Sequence, residues 1–135
     1  MQSRYLKLAW FGVPCGTACS AQERQRGSKP TSPIEGHGGA VGRTDIQLNA
    51  QESVRLSRAT AIYRFMVRII PKLEQRGVQW VVENPWRSLL WNIPEVQALL
   101  ERPGIQDVDY TACIVCSERD KRQRLRGHTA QRFLF

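Results

Sequence analysis

Few side chains in this sequence are placed to do chemistry: four cysteines, Cys15, Cys19, Cys113 and Cys116, and the acid Glu83. A thiolate is the strongest nucleophile among ordinary side chains. Only a few per cent of an unperturbed thiol is ionised near neutrality, so it needs a cationic or amide-lined setting to act. Cys15 follows Pro14 at the end of the apolar run Tyr5–Val13, and the turn after a strand offers free backbone amides. Glu83 follows a second apolar run, residues 78–82 (VQWVV), and leads into Asn84-Pro85. A carboxyl group there can donate to a ring nitrogen or accept from an amino group, leaving a ring carbon open to attack by the thiol. The two histidines, His37 and His128, lie away from both places, so no Cys/His relay of the protease kind is visible. The pairing suits a heterocyclic base better than a peptide. Plainer readings stand beside it. Cys15 as a small core residue is one, and Glu83 as a helix cap or a partner of Arg87 is another. A zinc site from Cys15-x3-Cys19 and Cys113-x2-Cys116 is disfavoured by the distance between the pairs and by the strand alternation around Cys113, so no metal is expected.

The elements that must position these groups can be read from periodicity. Tyr5–Val13 is short, apolar and stopped by Pro14, which predicts a buried strand. Residues 22–48 are rich in Gly, Ser and Pro and predict a flexible loop. From Glu52 to Arg76 the residues Ile62, Phe65, Met66, Ile69, Ile70 and Leu73 recur at three- and four-residue spacing, the core-facing stripe of an amphipathic helix. Asn49 with Glu52 supplies a capping box and Gly77 a left-handed residue after the last turn. Pro71 inside the pattern predicts a bend or a broken last turn. A strand over Val78–Val82, a short helix opening at Pro94 with Val96, Leu99 and Leu100 on one face, and a third strand over Val108–Val115 follow. Strand, helix, strand, helix, strand implies an α/β fold of parallel strands with right-handed crossover helices, and ligands in such sheets gather beyond the carboxyl ends of the strands.

Pro14-Cys15 after one strand and Val81-Val82-Glu83-Asn84-Pro85 after the next, with a helix between, resembles the middle of the DNA (cytosine-5) methyltransferases. In that family a Pro-Cys motif supplies the nucleophile and a Glu-Asn motif follows the next strand. The resemblance spans about residues 5–126 and implies a partial doubly wound, Rossmann-like sheet. It further implies that Cys15 adds to C6 of a cytosine flipped out of the stack while Glu83 holds N3 and the 4-amino group. Pro14, Asn84 and Pro85 would shape the substrate pocket, with Asn84 orienting Glu83. The family's arginine motif at the base falls at residues 119–124 here, which implies substrate contact by Arg119, Lys121 and Arg122, with Lys121 or Arg122 the counterpart of the motif's arginine. S-adenosylmethionine is the implied methyl donor, although the glycine-rich loop that would bind it has no counterpart here. The expectation is therefore the base-handling half of such an enzyme, inactive alone, with DNA as partner and a second chain supplying the cofactor half. The alternative is a non-catalytic basic nucleic-acid-binding module or an inactive remnant.

Composition agrees with one such unit. The 135 residues are 41% hydrophobic and 24% charged, with no apolar run long enough to cross a bilayer. The net charge of +8 is unevenly placed: residues 1–30 hold five basic side chains against one acidic and residues 116–135 six against two, whereas 31–115 balances. This pattern predicts phosphate contact near both ends. The division expected is a catalytic-like domain over 1–126 and a basic tail over 127–135, with the stretch Arg119–Arg132 a solvated arm. A chain of this size has no need of disulfides, which points to a reducing compartment, nucleus or cytoplasm. The segment around Leu8–Val13 imitates a secretory signal, but its apolar part is too short, and it reads as part of the fold.

Overall fold

The computed structural model describes residues 6–15, 49–112 and 121–128. They form a four-stranded mixed sheet with one long helix packed against it. Strand β1 is Leu8–Gly12. Helix α1, Ala50–Gln75, leads to β2, Gln79–Pro85. A 3-10 turn at Leu89–Asn92, the four-residue helix α2 at Pro94–Gln97 and a second 3-10 turn at Ala98–Glu101 then lead to β3, Gln106–Ala112, and finally β4, Lys121–Gly127. The strand order is β1-β2-β4-β3.

The α/β class holds, but the sheet is not all parallel. β1 and β2 run side by side in parallel, Leu8 beside Gln79 through Gly12 beside Glu83. β4 is antiparallel to both neighbours and is inserted between β2 and β3. β1, β2 and β3 therefore run in the same direction, as expected, but the segment expected to be a basic arm is a fourth, antiparallel strand that separates β3 from β2. The arginines hid the strand: Arg122, Arg124 and Arg126 alternate with Gln123 and Leu125, and on the arginine side two of them meet acids of β3. Arg126 pairs with Asp107 (Nε to Oδ1 2.6 Å) and Arg124 with Asp109 (2.6 Å). Such cross-strand pairs support a sheet as apolar pairs do. The strand runs through Gly127, and His128 sets its ring edge-on to Trp80. Gly127 is required by close approach, since a Cβ there would collide with the Trp80 carbonyl and the Val81 Cα.

Helix α1 begins as its sequence predicts. Asn49 Oδ1 accepts from the Glu52 amide (2.9 Å) and the Glu52 carboxylate accepts from the Asn49 amide (3.0 Å). Gly77 takes a positive φ after the last turn, and the helix continues through Pro71 to Gln75. Its core face differs from the expected stripe. Ala59, Tyr63, Met66 and Ile70, at spacings of four, three and four, are buried, while Phe65 is 60% and Ile62 39% exposed. The apolar residues cover two adjoining faces of the helix, and only one can meet the sheet. That face packs on Trp80 and Val82 of β2, with Val13, Leu90, Trp91, Ile93, Val96 and Leu99 completing the cluster. Each of the large side chains fully buried there contributes roughly 1.5–3 kcal/mol. Leu100, expected beside Val96 and Leu99, points outward. Among the described residues no helix is long and apolar enough to cross a membrane.

The predicted loop 22–48 lies outside the described residues, as do Cys19, Cys113, Cys116, Arg119 and the tail beyond His128.

Candidate site at the carboxyl ends of β1 and β2

Parallel pairing brings the two motifs to one end of the sheet. Gly12 stands directly beside Glu83, and Cys15 follows three residues later, so the chain can carry it at most about 10 Å past that register position. The turn leading to Cys15 is held from two directions. The Val13 carbonyl accepts from Asn84 Nδ2 (2.8 Å) in a fully buried bond, and the next carbonyl, that of Pro14, accepts from the Tyr63 hydroxyl (2.7 Å) on α1. Two successive carbonyls before the cysteine are therefore fixed by β2 and by α1. Cys15 is a free, half-buried thiol. Asn84 Oδ1 is buried and has no hydrogen-bond partner among the described residues.

Strand alternation sends Asn84 toward α1 and Glu83 to the opposite face. There the carboxylate is held by two neutral donors. The Trp10 indole donates to Oε2 (3.1 Å) and the Tyr110 hydroxyl to Oε1 (2.8 Å). Glu83 is thus neither a helix cap nor the partner of Arg87. Burial, followed by the hydrogen bond to Glu83 and its negative charge, pushes the Tyr110 hydroxyl up to about 12. Trp10 is 44% exposed, and a Cβ built at Gly12 would meet nothing within 4 Å among the described residues. The carboxylate therefore borders an open strip of sheet flanked by an indole. Each of its oxygens retains acceptor capacity beyond the bond it already makes. A separate cavity of about 670 Å³ opens between Pro14 and the first half of α1, lined also by Val54, Arg55, Arg58 and Ile62; Cys15 and Glu83 do not line it.

Pro85 and Arg122 frame the mouth. The Pro85 carbonyl accepts from the Ser88 amide (2.8 Å) and the Trp91 indole (2.8 Å), closing a tight turn with Trp86 and Arg87 at its tip. The Trp86 amide donates to the Arg122 carbonyl (3.2 Å), and the guanidinium of Arg122 lies 5.4 Å from the Trp86 ring centre. Lys121 begins β4 at the same end. Arg124 and Arg126, by contrast, are consumed by structure. Arg126 is 2% exposed and also donates to the Val96 carbonyl (2.9 Å), and both lie over the Trp91 ring.

The structure thus brings Pro14, Cys15, Glu83, Asn84, Pro85 and Arg122 to one sheet end, with Asn84 and Arg122 on the α1-facing side and Glu83 on the other. Sequence reasoning missed Tyr63, Trp10, Gly12 and Tyr110. A signal existed for two of them: a tyrosine on a buried helix stripe needs a partner for its hydroxyl, and Trp10 stands two residues before Gly12 in the strand alternation. Tyr110 had none, because its meeting with Glu83 depends on where β4 places β3.

No family model, curated protein or solved structure matches the chain.

Proposed function

We propose that the chain is the base-handling half of a protein like the DNA (cytosine-5) methyltransferases, receiving a flipped cytosine at the carboxyl ends of β1 and β2. The observation that carries the reading is the pairing of Gly12 with Glu83, which leaves open space beside a fixed carboxylate and brings the pinned Pro14-Cys15 turn to the same end. The Cys15 thiolate forms a bond to C6, and the electron pair of the C5=C6 bond moves to C5 and, through C4, to N3. Glu83 accepts from the 4-amino group, and in its protonated form shares its proton with N3. C5 is then basic: it takes a proton from water, returns its original hydrogen to water, and the S–C6 bond breaks to regenerate thiolate and cytosine. Lys121 and Arg122, on the strand that begins at this mouth, and Arg119, which precedes that strand in the sequence, are assigned to the nucleotide.

S-adenosylmethionine does not fit the described residues. Gly77 and Gly104 occupy turns at helix ends, Gly127 is packed against β2 and Gly12 lies within β1, so none forms a glycine-rich turn from a strand into a helix. The methyl donor is assigned to a second chain carrying the cofactor half.

Hydrogen exchange tests the reading without that donor. DNA tritiated at cytosine C5 should release tritium to water in the presence of the intact chain. Cys15→Ala should abolish release, and Glu83→Gln should slow it by about 100-fold or more. Absence of release from the intact chain overturns the catalytic reading. A second reading, a nucleic-acid-binding module without catalysis, is favoured by the guanidiniums of Arg87 and Arg122 at the mouth, which form no ion pair among the described residues, Arg122 feeling only the more distant charge of Asp109.

A further inference from the structure

On the α1-facing side of β4 three arginines stand in a row, but the acids opposite them run out. Arg126 faces Asp107 and Arg124 faces Asp109; the next position across from Arg122 is Thr111. Arg122 is exposed and, among the described residues, forms no ion pair. Arg87, at the tip of the Pro85–Ser88 turn, is in the same condition. Both guanidiniums rest on one indole, Arg87 at 4.5 Å and Arg122 at 5.4 Å from the Trp86 ring centre. The backbone bond from the Trp86 amide to the Arg122 carbonyl fixes the two elements to each other.

We infer that Trp86, Arg87 and Arg122 form a preorganised site for a phosphodiester of the DNA strand whose base enters between Cys15 and Glu83. Two like charges gathered at one indole repel each other, and an anion bound beside them lessens that repulsion. Guanidinium forks match phosphate oxygens bidentately, and stacking on the indole restricts the side-chain rotamers that binding would otherwise have to freeze. The site deepens the proposed function by naming the group that anchors the strand, and DNA is chosen over other phosphates because the site shares its sheet end with the base-binding residues.

The full-length chain is titrated with labelled duplex DNA over a series of KCl concentrations. Arg87→Gln and Arg122→Gln should each weaken binding about tenfold and lower the slope of log affinity against log salt by about one unit. Arg122→Lys should keep most of the slope yet lose affinity, since an ammonium neither forks nor stacks as well. Arg64→Gln and Arg68→Gln, on exposed positions of α1, should change neither. Equal effects from the α1 variants, or none from Arg87→Gln and Arg122→Gln, overturn the site, as does failure of the intact chain to bind DNA. Tritium release measured on the same protein separates the two proposals. Release without the expected salt slopes leaves the chemistry and removes this site; the slopes without release leave this site and remove the chemistry.

Discussion

Gly12 is the residue on which access to Glu83 turns. A Cβ there meets nothing within 4 Å among the described residues, and β-branched residues suit a strand. Gly12→Val is therefore expected to change folding stability by no more than about 0.5 kcal/mol, read by urea denaturation. It should nonetheless block tritium release by filling the strip beside the carboxylate. Asn84→Ala is expected to behave in the opposite way, costing roughly 1–3 kcal/mol because it leaves the Val13 carbonyl buried and unpaired. Cys15 and Glu83 were legible because thiol and carboxyl chemistry announces itself in residue type and each follows an apolar run. The partners of their supports Tyr63, Trp10 and Tyr110 were not, since a hydrogen bond between residues far apart in sequence leaves no periodic trace, even where the residue itself sits in a legible pattern.

At the scale of elements, α1 and β4 show two different ways for a pattern to mislead. The cap and the carboxyl end of α1 were readable, because capping is local. Which of its two adjoining apolar faces is buried was decided by the sheet. Met66→Ala should cost about 2–5 kcal/mol and Phe65→Glu within about 0.5 kcal/mol, a contrast that thermal or urea melting would show directly. β4 was read as a solvated arm because a run with so many arginines has no apolar alternation to mark it. Its partners are the acids of β3. Asp107→Ala strands the buried charge of Arg126 and is expected to destabilise by about 3 kcal/mol or more. Gly127→Ala should cost about 1–3 kcal/mol by forcing β4 off the Trp80 backbone.

At the scale of the whole molecule, two described groups on β3 make stability depend on pH. The hydrogen bond from Arg124 holds Asp109 below its ordinary 3.8, so the folded state favours the carboxylate. That contribution is present above about pH 4 and is lost as pH falls through the lower folded value. Tyr110 is shifted upward, to about 12 from 10.0, so the unfolded chain gives up its proton first. Its contribution is complete below about pH 10 and fades as pH rises toward about 12. Urea midpoints measured across this span should form a plateau with two falling limbs, Asp109→Asn flattening the acid limb and Tyr110→Phe the alkaline one. Reading along the chain reached the α/β class and the cap and end of α1, because propensity and capping need only neighbouring residues, and it singled out Cys15 and Glu83 as candidates by their chemistry alone. The tertiary structure alone decided that β4 reverses and slips between β2 and β3, which face of α1 is covered, and that Tyr110 reaches Glu83. Those outcomes rest on pairing between segments distant in sequence, where the partner's position supplies the energy and no single segment records it.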